Sequence, residues 1–126
     1  MADKVEIIEG GILHIIVEGE QTGEDVAFAS AESDRLLQEN DIKEIRYLVD
    51  FSEAGRIDPS ARQALKDRLK NVEQRGKVKY AIVGLSKTLA NLISLYVRAI
   101  HAESEYRFFK TKDEALAWLV GMNPNP

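Results

Sequence analysis

Few residues in this sequence combine a type and a spacing that could carry out catalysis or hold a metal ion. His14 lies in an apolar run and His101 near the end of a helical stretch, and neither has an acid or second histidine beside it at metal-ligand spacing. Neighbouring acids such as Glu18 and Glu20 need not converge, so they make no persuasive acid/base pair. The chain has no cysteine, which excludes thiolate nucleophiles and cysteine-ligated zinc. We therefore expect no enzyme, no metal site and no cofactor.

Asp50 is the carboxylate whose position best suits ligand binding, because it falls near the carboxyl end of a predicted strand. Open α/β sheets place their ligands at that edge. The alternative is that Asp50 accepts backbone N–H groups and orders its own turn, as aspartate often does. Both interpretations stay open from the sequence.

Composition narrows the class of protein. The 126 residues are 44% hydrophobic and 30% charged, which is typical of a soluble globular domain. A net charge of −4 provides no basic excess to neutralise a phosphate backbone, so we expect no nucleic-acid partner. No apolar stretch is long enough for a signal peptide or a transmembrane segment, and a cytoplasmic location is expected.

The elements that must position these residues follow from periodicity and capping signals. Strand patterns occupy five segments: Lys4–Glu9, Ile12–Glu18, Glu44–Ser52, Lys77–Leu85 and Tyr106–Lys110. Helix patterns occupy four: Thr22–Asn40, Asp58–Arg75, Ser86–Ala102 and Thr111–Leu119. The residues Ser52–Ile57 are predicted to be a loop.

This alternation predicts an α/β fold, because strands separated by helices of this length call for crossover connections. Gly10-Gly11 predicts an antiparallel hairpin at the start. We expect a mixed, mostly parallel sheet of about five strands packed by four helices. One domain would span residues 1–122, followed by a short proline-rich tail, 123–126.

One segment, from Asp50 to Leu65, resembles the signature of the STAS family. In that signature a strand ends in an Asp-apolar-Ser step, and an Ile-Asp-Ser-Ser-Gly loop starts the next helix. The matching residues are Asp50, Ser52, Ile57, Asp58, Ser60, Ala64 and Leu65, and the departures are Pro59, Ala61 and Arg62. The carboxyl end is similar to the closing strand and helix of the SpoIIAA-like branch, at Arg107-Phe108-Phe109 and Asp113–Leu119. The resemblance covers Val5 to Leu119.

The resemblance implies a SpoIIAA-like fold and a regulatory protein-binding function. In anti-sigma factor antagonists of this family, a partner kinase phosphorylates the serine that corresponds to Ser60, and the nearby loop docks the partner. Carried over to this chain, the phosphorylation candidate is Ser60. The partner-binding loop comprises Asp50, Ser52, Ile57, Asp58, Ser60 and Arg62.

Helical geometry places Ser60 at the edge of the buried stripe, roughly 115° from its centre. Its hydroxyl should therefore be accessible. A phosphate there would gain from the start of the helix but would be repelled by Asp58. In the alternative interpretation Asp58 caps the helix, Pro59 fixes the first turn and Ser60 is only a small polar residue.

The third predicted helix is unusually apolar, since only Asn91, Ser94 and Arg98 interrupt the segment Leu89–Ile100. The helix could lie deep in the fold, form a protein interface such as a homodimer, or line a groove for a small apolar ligand. The broader fold group includes lipid-handling proteins of the Sec14 kind, which supports the last alternative. The residues predicted for an interface or groove are Phe28, Leu92, Ile93, Leu95, Tyr96 and Val97.

Overall fold

Five β-strands and four α-helices alternate along the described part of the chain. The structure is a computed structural model that describes residues 3–73, 78–100 and 105–121. The strands are β1 Lys4–Ile8, β2 Ile12–Gln21, β3 Ile45–Ile57, β4 Val78–Val83 and β5 Glu105–Phe109. The helices are α1 Gly23–Glu39, α2 Pro59–Glu73, α3 Lys87–Ile100 and α4 Lys112–Leu119. Several predictions fall outside the described residues. They are the ends of the second and third helices at Arg75 and Ala102, the environment of His101, and the tail 123–126.

The strands form one mixed sheet in the order β1-β2-β3-β4-β5. The β1–β2 pair is antiparallel and the other three pairs are parallel. This topology confirms the predicted mostly parallel α/β fold with four helices.

Side chains alternate between the two faces of the sheet, and each face has its own core. One face carries Leu13, Tyr47 and Tyr80, which pack with buried residues of α1, α2 and α3 such as Val26, Ala61 and Ile93. The opposite face packs with α4, through Ile12, Leu48, Ala81, Val83, Ala115 and Leu119. Three helices therefore cover one face, and the fourth covers part of the other.

Local capping explains where the helices begin. Thr22 and Asp25 form a reciprocal capping box at α1, in which the Asp25 N–H donates to Thr22 Oγ1 at 3.3 Å and the Thr22 N–H donates to Asp25 Oδ2 at 2.9 Å. Ser86 accepts the Leu89 N–H at 3.2 Å at the start of α3. These caps lie where the sequence predicted them.

The predicted loop Ser52–Ile57 is wrong, because β3 continues through it as far as Ile57. The strand persists because β2 is also longer than predicted and pairs with it, joining Glu18 to Glu53 and Gln21 to Ile57 across irregular register. Gly55 permits this approach, since a Cβ there would lie 3.3 Å from backbone atoms of Gly19 and Glu20. The two strands thus carry the chain directly to the starts of α1 and α2.

Candidate functional site

The starts of α1 and α2 meet at a hydrogen-bonded cluster that we call the α1–α2 junction, formed by Gly23, Asp58 and Ser60. Parallel pairing of β2 with β3 brings the two strand ends to the same edge, and the Asp58 N–H donates to the Gln21 carbonyl at 3.1 Å. Each strand then leads into its helix within two residues. The sheet register therefore places the two helix starts side by side.

Asp58 caps α2 as the sequence predicted, and one of its oxygens accepts two hydrogen bonds. The Ala61 N–H donates to Asp58 Oδ1 at 2.8 Å, and the Ser60 hydroxyl donates to the same oxygen at 2.6 Å. The Ser60 hydroxyl, followed by the Ala61 N–H, lowers the pKa of Asp58 below its ordinary value of 3.8. Asp58 is therefore an ionised acceptor at neutral pH.

Ser60 is exposed, and its hydroxyl connects the two helices. It donates to Asp58 and accepts the N–H of Gly23, the first residue of α1, at 2.8 Å. Gly23 packs closely against Ser60, because a Cβ on Gly23 would lie 3.2 Å from the Ser60 carbonyl oxygen. Sequence reasoning missed Gly23, because it lies 37 residues from Ser60 and no local pattern links them.

The other predicted loop residues have different environments. Asp50 accepts the Ser52 N–H at 2.8 Å, as one of the two interpretations expected, but both residues lie inside β3 and form no turn. Ser52 and Arg62 are exposed. Ile57 is buried at 5% exposure, so its side chain belongs to the core beneath the junction.

Gly84, another residue that sequence reasoning missed, holds the end of β4 against Ser52. Its φ of +81° lies in the left-handed region, and a Cβ there would come within 2.6 Å of the Ser52 backbone nitrogen. In the sequence Gly84 is an isolated glycine inside the predicted strand Lys77–Leu85, whereas the observed strand ends just before it, at Val83.

A second candidate site is an apolar cavity of about 100 Å³ between the sheet and helices α1, α2 and α3. Strand residues such as Ile15 and Val49, together with Val26 and Ile93 from the helices, form apolar walls. The cavity also contains Asp3 and Arg68, the charged members of its described lining. It has the composition of a small-molecule pocket, with mainly apolar walls and few polar groups.

Three tyrosines stack across adjacent strands along the cavity. Tyr47, Tyr80 and Tyr106 occupy directly paired positions of β3, β4 and β5. Neighbouring ring centroids are 4.7 Å apart in both pairs, with interplanar angles of 9° and 5°. A tyrosine near the start of each of three consecutive strands was the sequence signal for this stack.

Arg68 of α2 is held in place beside the tyrosine stack. It donates to both carboxylate oxygens of Asp34 at 3.0 and 3.2 Å and to the Tyr47 hydroxyl at 2.8 Å. Burial alone would lower the pKa of Arg68, but the bond to Asp34 and the negative field around it raise the pKa overall. The guanidinium therefore stays charged, with a matched counter-ion.

Asp3 lies in another part of the cavity lining and is 6% exposed. Its Oδ1 accepts the Gln21 side-chain amide at 2.9 Å and the Glu18 N–H at 3.2 Å. Burial raises the pKa of Asp3 above 3.8, and these two hydrogen bonds oppose the rise only in part.

The residues predicted for an apolar interface or groove differ in burial. Ile93 is buried at 7% and lines the cavity, whereas Phe28 and Leu95 are 48% and 58% exposed and are not among its described lining. Leu92 and Tyr96 are half-buried, and the Lys66 ammonium lies 5.8 Å from the Tyr96 ring centroid. The Val97 side chain lies outside the described residues.

The sequence predicts no metal site at the histidines and no transmembrane segment. His14 is buried, and its Nδ1 lies 3.1 Å from the Glu6 carboxylate. No group of three or more potential metal ligands occurs among residues 3–73, 78–100 and 105–121. Within those same ranges no helix has the length and apolarity to cross a membrane.

Solved structures of other proteins share this arrangement of strands and helices. The anti-sigma factor antagonist SpoIIAA in its unphosphorylated form is 15% identical, with a TM-score of 0.69 over 95% of this chain and 99% of that one. The Bacillus cell fate determinant SpoIIAA in its phosphorylated form is 14% identical, with a TM-score of 0.64 over 93% and 98%. These two comparisons show that this chain has the same fold as SpoIIAA.

A DUF3478-family protein with a SpoIIAA-like fold from Shewanella loihica PV-4 is 25% identical, with a TM-score of 0.60 over 94% of this chain and 92% of that one. No curated protein sequence matches the chain. A family model described as SpoIIAA-like matches residues 12–120, which include both candidate sites except Asp3. The chain therefore belongs to the SpoIIAA-like family.

Proposed function

We propose that this chain is a non-enzymatic regulatory module that binds another protein through the surface around the α1–α2 junction, under the control of Ser60. The observation that carries the proposal is the position of the Ser60 hydroxyl, which is exposed and yet bonded to both helices. A change at this one atom would alter the starts of α1 and α2 together. Membership of the SpoIIAA-like family is consistent with this role.

Phosphorylation of Ser60 would change the junction in a defined way. The esterified oxygen could no longer donate to Asp58, and a dianionic phosphate would lie beside that carboxylate. The Gly23 N–H could still donate to a phosphate oxygen, as helix starts commonly do. The repulsion from Asp58 would therefore shift the α2 start, and a partner docked there would detect the shift.

Mass spectrometry of the protein purified from cells that express it naturally tests the modification. We expect one phosphate, located on Ser60 by peptide fragmentation and absent from Ser60→Ala. A protein that never carries phosphate, or carries it elsewhere, would refute control through Ser60.

A matched pair of charge reversals on α2 tests the docking surface. Arg62 lies next to the junction and Lys70 lies two turns further along the same helix, and both are exposed. In quantitative affinity enrichment, we expect a protein that binds the wild type and Lys70→Glu equally but loses binding to Arg62→Glu. Equal enrichment by all three would place the partner surface elsewhere.

The cavity beneath α1, α2 and α3 favours a second function, the carriage or sensing of a small apolar ligand. Its support is the combination of mainly apolar walls and a volume of about 100 Å³. Native mass spectrometry of the purified protein tests it. A stoichiometric bound molecule would support a carrier, and its consistent absence, together with failure of small apolar probes to bind, would exclude one.

A further inference from the structure

The volume of the cavity matches a single small ring. An engineered apolar cavity of roughly 150 Å³ stays dry and binds benzene. The cavity in this protein measures about 100 Å³, so one ring of about six heavy atoms would need only small adjustments of the walls. A long acyl chain would require much larger displacements.

The walls suit an aromatic ring. The stacked tyrosines contribute aromatic surface, and rings favour offset or edge-to-face contact with other rings. Isoleucine side chains from two strands and from α3 complete the apolar lining: Ile15, Ile82 and Ile93.

The charges of the lining disfavour an ionised ligand. Arg68 is already matched by Asp34, so a bound carboxylate would compete with that acid and leave two carboxylates around one guanidinium. Asp3 is likewise engaged, by Gln21 and the Glu18 N–H. Burying a charge without a free counter-ion is strongly unfavourable.

We propose that the cavity binds an uncharged, ring-sized ligand, such as a small aromatic hydrocarbon or a phenol, and discriminates against carboxylates that carry the same ring. The proposal rests on the carrier function above and specifies the chemical class of its ligand. Its basis is that both charged residues of the mainly apolar lining are already engaged, Arg68 by Asp34 and Asp3 by Gln21 and the Glu18 N–H.

Titration of the isoleucine methyl NMR signals with three probes tests the selectivity. Toluene, phenol and benzoate have the same ring, and benzoate alone is charged at pH 7. We expect saturable shifts of the Ile15, Ile82 and Ile93 methyl groups with toluene and phenol, and binding of benzoate at least tenfold weaker. Ala29→Leu, which enlarges a buried residue of the lining, should abolish binding while the domain remains folded.

A second variant tests the electrostatic cause. Asp34→Asn would remove the counter-ion of Arg68, so benzoate affinity should rise by tenfold or more while toluene affinity stays within about twofold. Asp67→Asn is the matched control, because Asp67 is an exposed acid of α2 bonded to Gln63. It should leave the benzoate-to-toluene ratio unchanged.

The outcomes separate this inference from the carrier function. Wild-type binding of benzoate as tight as that of phenol would overturn the selectivity for neutral ligands, while the carrier function would stand. A co-purified ligand with no probe binding would overturn the ring-sized class alone. Failure of every probe, together with no co-purified molecule, would overturn both.

Discussion

Asp58 and Ser60 show how one carboxylate oxygen can combine a structural task with a potential switch. Asp58 Oδ1 stabilises the first turn of α2 through the Ala61 N–H, and the same oxygen holds the Ser60 hydroxyl. A modified Ser60 would therefore disturb a cap as well as a surface. Under the proposed function, the same hydrogen bond between Asp58 and Ser60 would affect both the stability of α2 and partner binding.

We predict that Asp58→Ala lowers the thermal unfolding midpoint by a few degrees, because α2 loses its cap. The pKa of Asp58 is lowered in the folded state, first by Ser60 and then by Ala61, so its contribution is complete above pH 3.8 and disappears as pH falls through the lower folded value. The difference between wild type and Asp58→Ala should accordingly shrink in strong acid. Unfolding midpoints measured across pH would check this.

Asp58→Ser is the control, since serine also caps helices and should retain most of the stability. An unchanged midpoint for Asp58→Ala at neutral pH would show that the cap contributes nothing to the folded state.

Asp3 should change the stability with pH in the opposite direction from Asp58. Burial raises its folded pKa, so the folded protein holds this proton more tightly than the unfolded chain, and stability falls as pH rises from 3.8 through the raised value. Asp3→Asn can keep its acceptor for Gln21 and Glu18 without a charge, and it should raise the midpoint at pH 7. Glu9→Gln, an exposed change, should not. A lower midpoint for Asp3→Asn would contradict the prediction.

Residue-scale features were predictable where the contact is local. The Asp58 cap and the hydrogen bond from the Ser52 N–H to Asp50 each join residues two or three positions apart, so the sequence pattern contains both partners. The bond from Gly23 to Ser60 depends on the register of two strands, which the sequence does not specify.

At the scale of elements, the long β3 strand determines where the junction forms. Sequence patterns gave the strand as far as Ser52, because its apolar alternation ends there. The residues from Glu53 to Arg56 are polar or small, and they stay extended because β2 supplies backbone partners. Pairing with β2 depends on tertiary structure, which local sequence patterns do not contain. The sequence alone therefore predicts a loop here.

Gly84 connects β4 to this part of β3, and we predict that Gly84→Ala is strongly destabilising. The left-handed backbone alone would cost about 1–2 kcal/mol with alanine, and the new Cβ would also approach the Ser52 backbone nitrogen to 2.6 Å. Chemical denaturation would measure the change in unfolding free energy.

Gly19→Ala is the matched control, because Gly19 has a φ of +71° and a Cβ there would have no described atom within 4 Å apart from its own chain neighbours. Gly19→Ala should lower the unfolding free energy only by the cost of placing alanine in the left-handed region. Equal losses for the two variants would mean that the contact with Ser52 has no energetic weight.

At the scale of the whole molecule, α2 and α3 form a basic region in a protein with a net charge of −4. Apart from Arg68, which Asp34 neutralises, their basic residues are Arg62, Lys66, Lys70, Lys87 and Arg98, against the acids Asp67 and Glu73. A symmetric dimer through this region would bring like charges together, which is unfavourable unless the apolar contact compensates. A partner with an acidic surface would avoid that repulsion.

The sequence left open whether the apolar helix α3 lies in the core, forms a protein interface or lines a ligand groove. The structure separates these alternatives, because it shows which residues of α3 are buried and which are exposed. Ile93 is 7% exposed and Leu95 is 58% exposed. We predict that Ile93→Glu unfolds the domain, at a cost on the order of 3 kcal/mol or more for an unpaired buried charge. Leu95→Glu should leave it folded but change its association state, because Leu95 is exposed and lies outside the described cavity lining, so it can act only through a contact with another molecule. Circular dichroism, sedimentation velocity and native mass spectrometry of both variants distinguish the results. A folded Leu95→Glu protein with unchanged mass would show that the exposed side of α3 at Leu95 forms no interface.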